Sequence, residues 1–309
     1  MALNSPSRAG GAGRLGRIPA GTIIVFLLPA IALYAVFLVY PIIQSVRFSM
    51  YNWNGFGPLQ EFVGLDNFRS VFADHRFRTA LSHNAILVVL SLVVQLPAAL
   101  ALALLLNARI KGRAVMRTVY FAPYVLSEVV TGVVWRQILR PNGLLDQSLE
   151  GVGLGGLTQG WLSDPEVVLY ALFFVISWKY FGFHMILMLA GLQQIPGELK
   201  EAAAIDGASA WNTFRYVTLP LLMPTVRVSV FLSVIGGLQI FDMVWVTTKG
   251  GPIGSSSTMS TYLYDRFRDS RFGIASAASL VIFALCMVVA VFYQRFALRR
   301  DLEGAGPGV

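Results

Sequence analysis

The residues of this chain that could do chemistry are polar side chains set between long apolar runs. The three histidines, His75, His83 and His184, are scattered and lack the spacing of metal ligands. No Gly-x-x-x-x-Gly-Lys-[Ser/Thr] phosphate loop occurs, so ATP hydrolysis by this chain alone is not expected. No arrangement of Ser, His and an acid stands out either. The sequence therefore predicts no catalytic residue and no metal site, and directs attention to the polar segment at residues 201–220.

This polar segment, which we call the knob, has the composition of two short helices. Residues 198–206 contain no internal proline or glycine and are rich in alanine and glutamate, which favours a helix. Gly207 can adopt the left-handed backbone conformation that ends such a helix. A second helix is predicted over residues 209–216, stopped by Pro220. We therefore expect a helix-turn-helix at a membrane surface, shaped to fit into a partner.

The elements around the knob are apolar and long. The chain has 309 residues, of which 56% are hydrophobic and 13% charged, whereas soluble domains carry about 25% charged residues. Six apolar runs each have about 20 residues or more, enough to cross the hydrocarbon core of a bilayer as a helix. We predict an all-α membrane protein with a tail at 1–21, one six-helix domain at 22–298 and a second tail at 299–309. The expected spans are residues 22–46, 85–106, 115–138, 167–192, 223–246 and 275–296.

Arginine and lysine placement predicts the orientation. Arg109, Lys111 and Arg113 lie in the short loop after the second span, and the positive-inside rule makes that side cytoplasmic. With six spans, both termini and the knob fall on this side. The basic residues at 249–271 oppose this assignment, but charge density in the shortest loop outweighs them. The net charge of +8 is spread over helix ends, where it contacts lipid headgroups, and indicates no nucleic-acid partner.

The knob also carries a family resemblance. Glu201-Ala202-Ala203, three residues, Gly207, nine residues and then the tetrapeptide 217–220 resemble the EAA signature of ABC importer permeases, E-A-A-x3-G-x9-I-x-L-P. Val217 in place of isoleucine is the one departure. Further segments across residues 22–298 are similar to the carbohydrate-uptake branch of these permeases, and within it to the first permease of the pair, as in maltose transporters. They are Tyr40-Pro41, residues 62–68, residues 208–211, and Phe241-Asp242 with residues 250–252.

The resemblance implies partners in a bacterial inner membrane. A second permease would complete the path, two ATPase subunits would dock on the cytoplasmic side, and an extracytoplasmic binding protein would deliver the solute. ATP and magnesium would be bound by the ATPases, so no cofactor is expected on this chain. The resemblance assigns coupling to the ATPase to one set of knob residues, namely Glu201, Ala202, Ala203, Asp206, Gly207, Leu219 and Pro220.

The same resemblance implies that the spans on either side of the knob line the substrate path. A sugar needs hydrogen-bonding groups and aromatic faces, and polar side chains in a bilayer face the bundle interior. Lys179 weakly indicates an anionic group; for Lys179 and Asp242 a structural ion pair is the alternative. Any single aromatic could instead pack or face lipid. The candidate pathway residues are Trp178, Lys179, Phe183, Ser233, Gly236, Gly237, Gln239 and Asp242.

The expected function is therefore the permease subunit of an ABC importer for a di- or oligosaccharide, working by alternating access driven by the ATPases. One alternative is a permease for glycerol-phosphate or another polyol in the same kind of importer. A second is an ion-coupled secondary transporter, although no inverted repeat is visible. A membrane-embedded enzyme or scaffold is the third.

Overall fold

The computed structural model describes residues 20–108 and 110–295, and nearly all of these residues are helical, which confirms the all-α prediction. The predicted tail at residues 299–309, residues 1–19 of the tail predicted at 1–21, and Arg109 of the basic loop lie outside the described residues. Residues 20 and 21 belong to the first helix, so the predicted tail was two residues too long. The chain forms two compact units, residues 1–45 and 46–309, and each is described by itself.

The first unit contains helix α1 (Ala20–Tyr34), a π-helical turn (Ala35–Val39) and the start of α2 (Tyr40–Ser49). Residues 25–49 of this continuous helix are long and apolar enough to cross a membrane. The chain then enters the second unit.

The second unit is a bundle of further helices. Within its described residues, an isolated antiparallel bridge joins Tyr51 to Phe62 and a 3₁₀ turn covers Gly155–Leu157. The helices are α3 (Asp66–Ala73), α4 (His75–Leu90), α5 (Leu96–Asn107), α6 (Arg113–Val125), α7 (Glu128–Ile138), α8 (Leu144–Gly151), α9 (Val168–Gln194), α10 (Gly197–Ile205), α11 (Ala210–Thr213), α12 (Leu219–Gln239), α13 (Asp242–Thr247), α14 (Met259–Arg268) and α15 (Phe272–Tyr293).

Among the described residues, five helices could cross a membrane, or six if one bent pair counts as a span. Residues 25–49, 75–107, 168–194, 210–239 and 272–293 agree with five of the predicted spans. The helix that corresponds to the fifth predicted span, residues 223–246, begins at Ala210, 13 residues earlier, and ends at Gln239. The prediction that this span reaches residue 246 was therefore wrong. The third was also wrong as a straight span, because α6 and α7 meet at an angle of 98°.

Prolines explain where the long helices change their winding. Pro41, Pro97 and Pro220 each occupy the second position of an α-helix that follows a π-helical turn. Proline lacks a backbone N–H and its ring crowds the carbonyl one turn earlier, and the wider π turn accommodates both. The prediction that Pro220 stops the second helix of the knob was therefore wrong. The helix runs on through Phe214–Thr218 into α12.

The break between α6 and α7 has a local cause. Leu126 and Ser127 are extended, with ψ of 144° and 151°, and the Ser127 hydroxyl accepts a hydrogen bond from the N–H of Val130. A serine in this position caps the start of a new helix. Pro123 lies in the last turn of α6. One helix therefore ends at Val125 and a new, separately capped helix begins at Glu128.

Lys179 of α9 satisfies the carbonyl groups that this break exposes. Its ammonium group donates hydrogen bonds to the carbonyl oxygens of Tyr124, at 3.4 Å, and Leu126. The residue is 3% exposed. A cation at the C-terminal end of a helix also interacts favourably with the helix dipole. The buried lysine is thus a partner of the backbone.

Helix α9 lies at the centre of the second unit and packs against α5, α6 and α12. Its contact with α6 is close because Gly182 has no side chain; a Cβ atom there would lie 1.9 Å from the carbonyl oxygen of Tyr120. Below this contact, Met185, Met188 and Leu192 pack with apolar residues of α5 and α12. Helix α9 is therefore the central element against which α5, α6 and α12 pack.

Replacing Lys179 with methionine tests its structural role. The methionine side chain is unbranched and nearly as long, but the carbonyl groups of Tyr124 and Leu126 lose their donor. An unsatisfied group costs about 1–3 kcal/mol where it is shielded from water. We expect a lower midpoint of thermal unfolding for the purified protein in detergent. The matched control is Lys111→Met, which removes the same charge from an exposed turn. Equal midpoints for the two variants would contradict this role.

Candidate functional site

The knob is built by two caps in succession. At the end of α10, the N–H of Ala208 donates to the carbonyl oxygen of Ala203 at 2.9 Å, and that of Gly207 to Ala204 at 3.1 Å. These bonds form a Schellman motif, which requires the left-handed conformation that Gly207 adopts, with φ of +77°. Ser209 then caps α11 by accepting from the N–H of Asn212. The predicted helix, turn and helix are present.

The surface of the knob is open and partly apolar. Ile205 is 86% exposed, Trp211 63% and Tyr216 69%. Glu201, Ala202, Asp206, Gly207 and Pro220 are also exposed, whereas Ala203 and Leu219 are half-buried. Large apolar side chains clustered beside charged ones on a surface are typical of an interaction site.

A cavity of about 400 Å³ lies within the helix bundle, between the middle of α9 and the end of α12. Aromatic and aliphatic side chains form much of its wall, including Phe173, Phe183 and Phe241. Phe183 stacks on Tyr124 with ring centroids 4.8 Å apart. Apolar walls with a few polar groups are typical of small-molecule sites.

Three hydrogen-bonding side chains, Ser91, Gln95 and His184, line this cavity, and each has a side-chain partner. The Ser91 hydroxyl donates to Oε1 of Gln95 at 3.0 Å, within the π turn of the second span. Nε2 of Gln95 is buried with no partner among the described residues. On α9, Nδ1 of His184 lies 3.0 Å from the Ser229 hydroxyl of α12. The cavity wall therefore contains a buried amide donor that has no partner within the described part of the chain.

Carboxylates are the charged groups of the cavity wall. The Tyr180 hydroxyl donates to Oε1 of Glu128, the first residue of α7, and Asp242 begins α13. Among the described residues that line the cavity there is no Lys or Arg. The cavity therefore presents hydrogen-bond acceptors and aromatic faces.

Six of the predicted pathway residues line the cavity and two do not. Helical periodicity explains the difference, since Trp178 and Lys179 lie about 200° and 100° around α9 from Tyr180. The ring of Trp178 instead packs against that of Trp135, with ring centroids 5.4 Å apart. Lys179 donates to backbone carbonyl oxygens at the break between α6 and α7. The lining residues among the predicted set are Phe183, Ser233, Gly236, Gly237, Gln239 and Asp242.

Sequence reasoning missed several lining residues. Gln95, Tyr124 and Glu128 line the cavity but are not among the predicted pathway residues. The helical spacing of Phe173, Tyr180 and His184 with Phe183 could have identified the shared face of α9. The approach of Glu128 and Tyr124 depends on the 98° bend; the signal for it was Ser127 after Pro123.

Comparison with known proteins identifies the family. Residues 95–301 match the family described as binding-protein-dependent transport system inner membrane component. The chain is 36% identical to the lactose transport system permease protein LacF of Rhizobium radiobacter, covering 89% of this chain and 93% of that one. It is 34% identical to the diacetylchitobiose uptake system permease protein NgcF of Streptomyces coelicolor, covering 92% and 84%.

A solved structure has the same fold. One chain of a bacterial alginate ABC transporter, in complex with an alginate pentasaccharide-bound periplasmic protein, superposes with a TM-score of 0.78 at 26% identity, covering 90% of this chain and 94% of that one. The proteins that match along almost the whole chain are permease subunits, and the predicted resemblance is confirmed. The chain belongs to the family of binding-protein-dependent transport system inner membrane components, the permeases of ABC transporters.

Proposed function

We propose that this chain forms one half of the path for an uncharged di- or oligosaccharide in an ABC importer. A second permease completes the path, and two ATPase subunits, which bind ATP and magnesium, dock on the cytoplasmic side. An extracytoplasmic binding protein delivers the sugar at the other side. Both termini and the knob are cytoplasmic in this proposal.

The observation that carries the proposal is the continuity of one helix from the knob to the cavity. The helix begins at Ala210 and ends at Gln239, so its 30 residues extend about 45 Å. Ser233, Gly236 and Gln239 near its far end line the cavity. A displacement of the knob therefore reaches the cavity wall through a single rigid element.

The knob has the surface that a docking partner requires. Ile205 and Trp211 present exposed apolar area, and Glu201 places a charge on the same helix as Ile205. An apolar face flanked by a charge suits insertion into a groove, as in other helix-in-groove contacts. Gly207 holds the turn, so α11 and the continuous helix follow α10 as it moves.

Alternating access follows from a difference in contacts between two states. When the ATPase subunits close on ATP, the two docked knobs approach each other, and the helices joined to them open the cavity to the outside. Hydrolysis and separation return the cavity to the cytoplasmic side. ATP binding can bias the equilibrium only because the contacts of the knob differ between the states.

The cavity chemistry supports an uncharged cargo. Glu128 and Asp242 can accept hydrogen bonds from sugar hydroxyls, and Phe183 and Phe241 offer faces for the sugar ring. Carboxylates disfavour an anion at close range. Lys179, the residue that suggested an anionic group, is engaged by backbone carbonyls. These contacts speak against glycerol-phosphate as the cargo.

Charge reversal at the knob tests the coupling. In the assembled transporter in lipid vesicles, Glu201→Lys should lower ATP hydrolysis stimulated by the binding protein by about tenfold or more, since a lost interface charge pair costs about 2–5 kcal/mol. Gly207→Asp should also lower it, because a side chain at φ of +77° strains the turn between α10 and α11. Glu150→Lys in α8 makes the same charge change at an exposed position away from the knob and should leave stimulation intact. Normal stimulation in both knob variants would refute the docking role.

A panel of solutes tests the cargo class. ATP-dependent uptake by the assembled transporter should be about tenfold or more faster for lactose or diacetylchitobiose than for glycerol 3-phosphate or an alginate oligosaccharide, because like charges at close range cost more than the 1.4 kcal/mol that a factor of ten represents. Combining Glu128→Gln with Asp242→Asn should narrow this difference. Equal uptake of the anionic solutes would overturn the assignment.

Filling the cavity tests whether solute passes through it. A side chain at Gly236 would extend into open space, since no atom beyond the local backbone of its own helix lies within 4 Å of its Cβ position. Gly236→Trp should therefore abolish uptake while the subunits still assemble, and Gly236→Ala should transport normally. Uptake by the tryptophan variant at the parent rate would place the path elsewhere.

A further inference from the structure

A second cavity, of about 560 Å³, is separate from the cavity between α9 and α12, which we call the bundle cavity. We call it the basic cleft; it lies between the first turn of α4, the loop of residues 248–258 and α14. The loop follows the far end of the helix that begins at the knob. The basic cleft is therefore at the opposite end of that helix from the knob, the extracytoplasmic end in the proposed orientation.

Positive charge dominates the basic cleft. Arg76 and Lys249 are exposed at its edge, and neither has a carboxylate within 4 Å among the described residues. Asp265 is the carboxylate that lines it. Burial, and then the negative charge of nearby Asp269, raise the pKa of Asp265, while Arg268, Arg266 and Arg76 act in the opposite direction. The net field favours an anion.

A buried arginine at the wall has an unused donor. Arg266 is 7% exposed, and its guanidinium lies 4.9 Å from the centroid of the Tyr262 ring. One terminal nitrogen is 3.6 Å from Asp269, which is half-exposed, but Nε is buried without a hydrogen-bond partner in the described part of the chain. Arg266 lines the cleft, and a charged donor that lacks partners is costly, so its guanidinium favours an acceptor in the cleft.

The loop that forms the outer wall is held in place by its own hydrogen bonds. Thr248 and Ser256 bond through their hydroxyls at 2.8 Å, and the Ser257 hydroxyl donates to the carbonyl oxygen of Gly250 at 3.1 Å. At its tip, Ile253 is 99% exposed. A free anion would leave this isoleucine in water, whereas a protein surface would cover it.

Hydrogen bonds join the elements around the basic cleft to the wall of the bundle cavity. Asn84 donates to the carbonyl oxygen of Gly237 at 2.6 Å and accepts from the N–H of Met259, the first residue of α14, at 2.8 Å. The Thr258 hydroxyl donates to the carbonyl oxygen of Ile240 at 3.0 Å. Gly237 and Ile240 line the bundle cavity.

We propose that the basic cleft receives an acidic side chain, Asp or Glu, from the docked extracytoplasmic binding protein, with Ile253 covered by the same surface. The carboxylate lies between Arg76 and Lys249 and accepts a hydrogen bond from Arg266. The inference rests on the proposed function, because that function sets which end of the bundle is extracytoplasmic. Docking then touches a segment hydrogen-bonded to the wall of the cavity that takes the sugar.

Carbodiimide coupling tests the contact directly. The reagent condenses a carboxyl group with an adjacent amine to an amide and takes up the water, so it joins only groups in contact. The probe is the purified extracytoplasmic protein that stimulates ATP hydrolysis by the assembled transporter. The expected product is a peptide cross-linked from its Asp or Glu to Lys249, found by mass spectrometry. Lys111, Lys179 and Lys200, the other lysines, lie in the loop after α5 or in α9 and α10.

Two matched controls sharpen this experiment. Lys249→Arg keeps the charge but has no amine to couple, so docking should persist while the cross-link disappears. Arg76→Glu and Lys249→Glu should each weaken docking by about tenfold at low salt, because like charges at an interface cost at least the 1.4 kcal/mol of a tenfold change. Arg140→Glu, an exposed arginine outside the cleft, should change it less than twofold, as is typical of charges that make no contact.

The outcomes separate two failures. Unchanged docking by the charge-reversal variants, or coupling that never includes Lys249, would overturn the cleft assignment and leave the proposed function standing. If no extracytoplasmic protein stimulates the transporter, the proposed function fails and the cleft assignment with it.

Discussion

The structure depends on one constraint: a helix in lipid must satisfy its backbone hydrogen bonds without water. The chain interrupts its helices at prolines and at a sharp break, and each interruption has its own remedy. π-helical turns precede Pro41, Pro97 and Pro220, so these helices continue. Between α6 and α7 the backbone is extended, and Lys179 donates to the carbonyl oxygens left open.

These two remedies have different consequences for function. The π turn before Pro220 makes one helix of the knob's second half and α12, so the knob and cavity wall share a rigid element. The break does the opposite, since it turns α7 away from α6 and brings Glu128 to Tyr180 beside the cavity. A continuous element transmits displacement, and a broken one positions side chains.

Residue patterns predicted the elements better than their interruptions. Composition and run length identified the spans, and the EAA pattern around Glu201 located the knob, because these signals are local. Pro220 was misread as a stop, since a proline favours both a helix end and a π turn and only tertiary packing decides. Lys179 was misplaced because a buried lysine can bind solute or backbone, and its carbonyl partners appear only once the chain bends. The next residue, Tyr180, lies about 100° further around the helix and lines the cavity, whereas Lys179 does not.

The central claim is that ATP binding by the ATPase subunits docked on the knob controls which side of the membrane the cavity faces. The direct measurement is labelling of Ser233→Cys, in a Cys286→Ser background, by a membrane-impermeant thiol reagent added outside the assembled transporter. The account predicts labelling when the ATPases are trapped with ATP and protection in their resting state, with the reverse for reagent on the cytoplasmic side. Labelling that does not depend on nucleotide would contradict it.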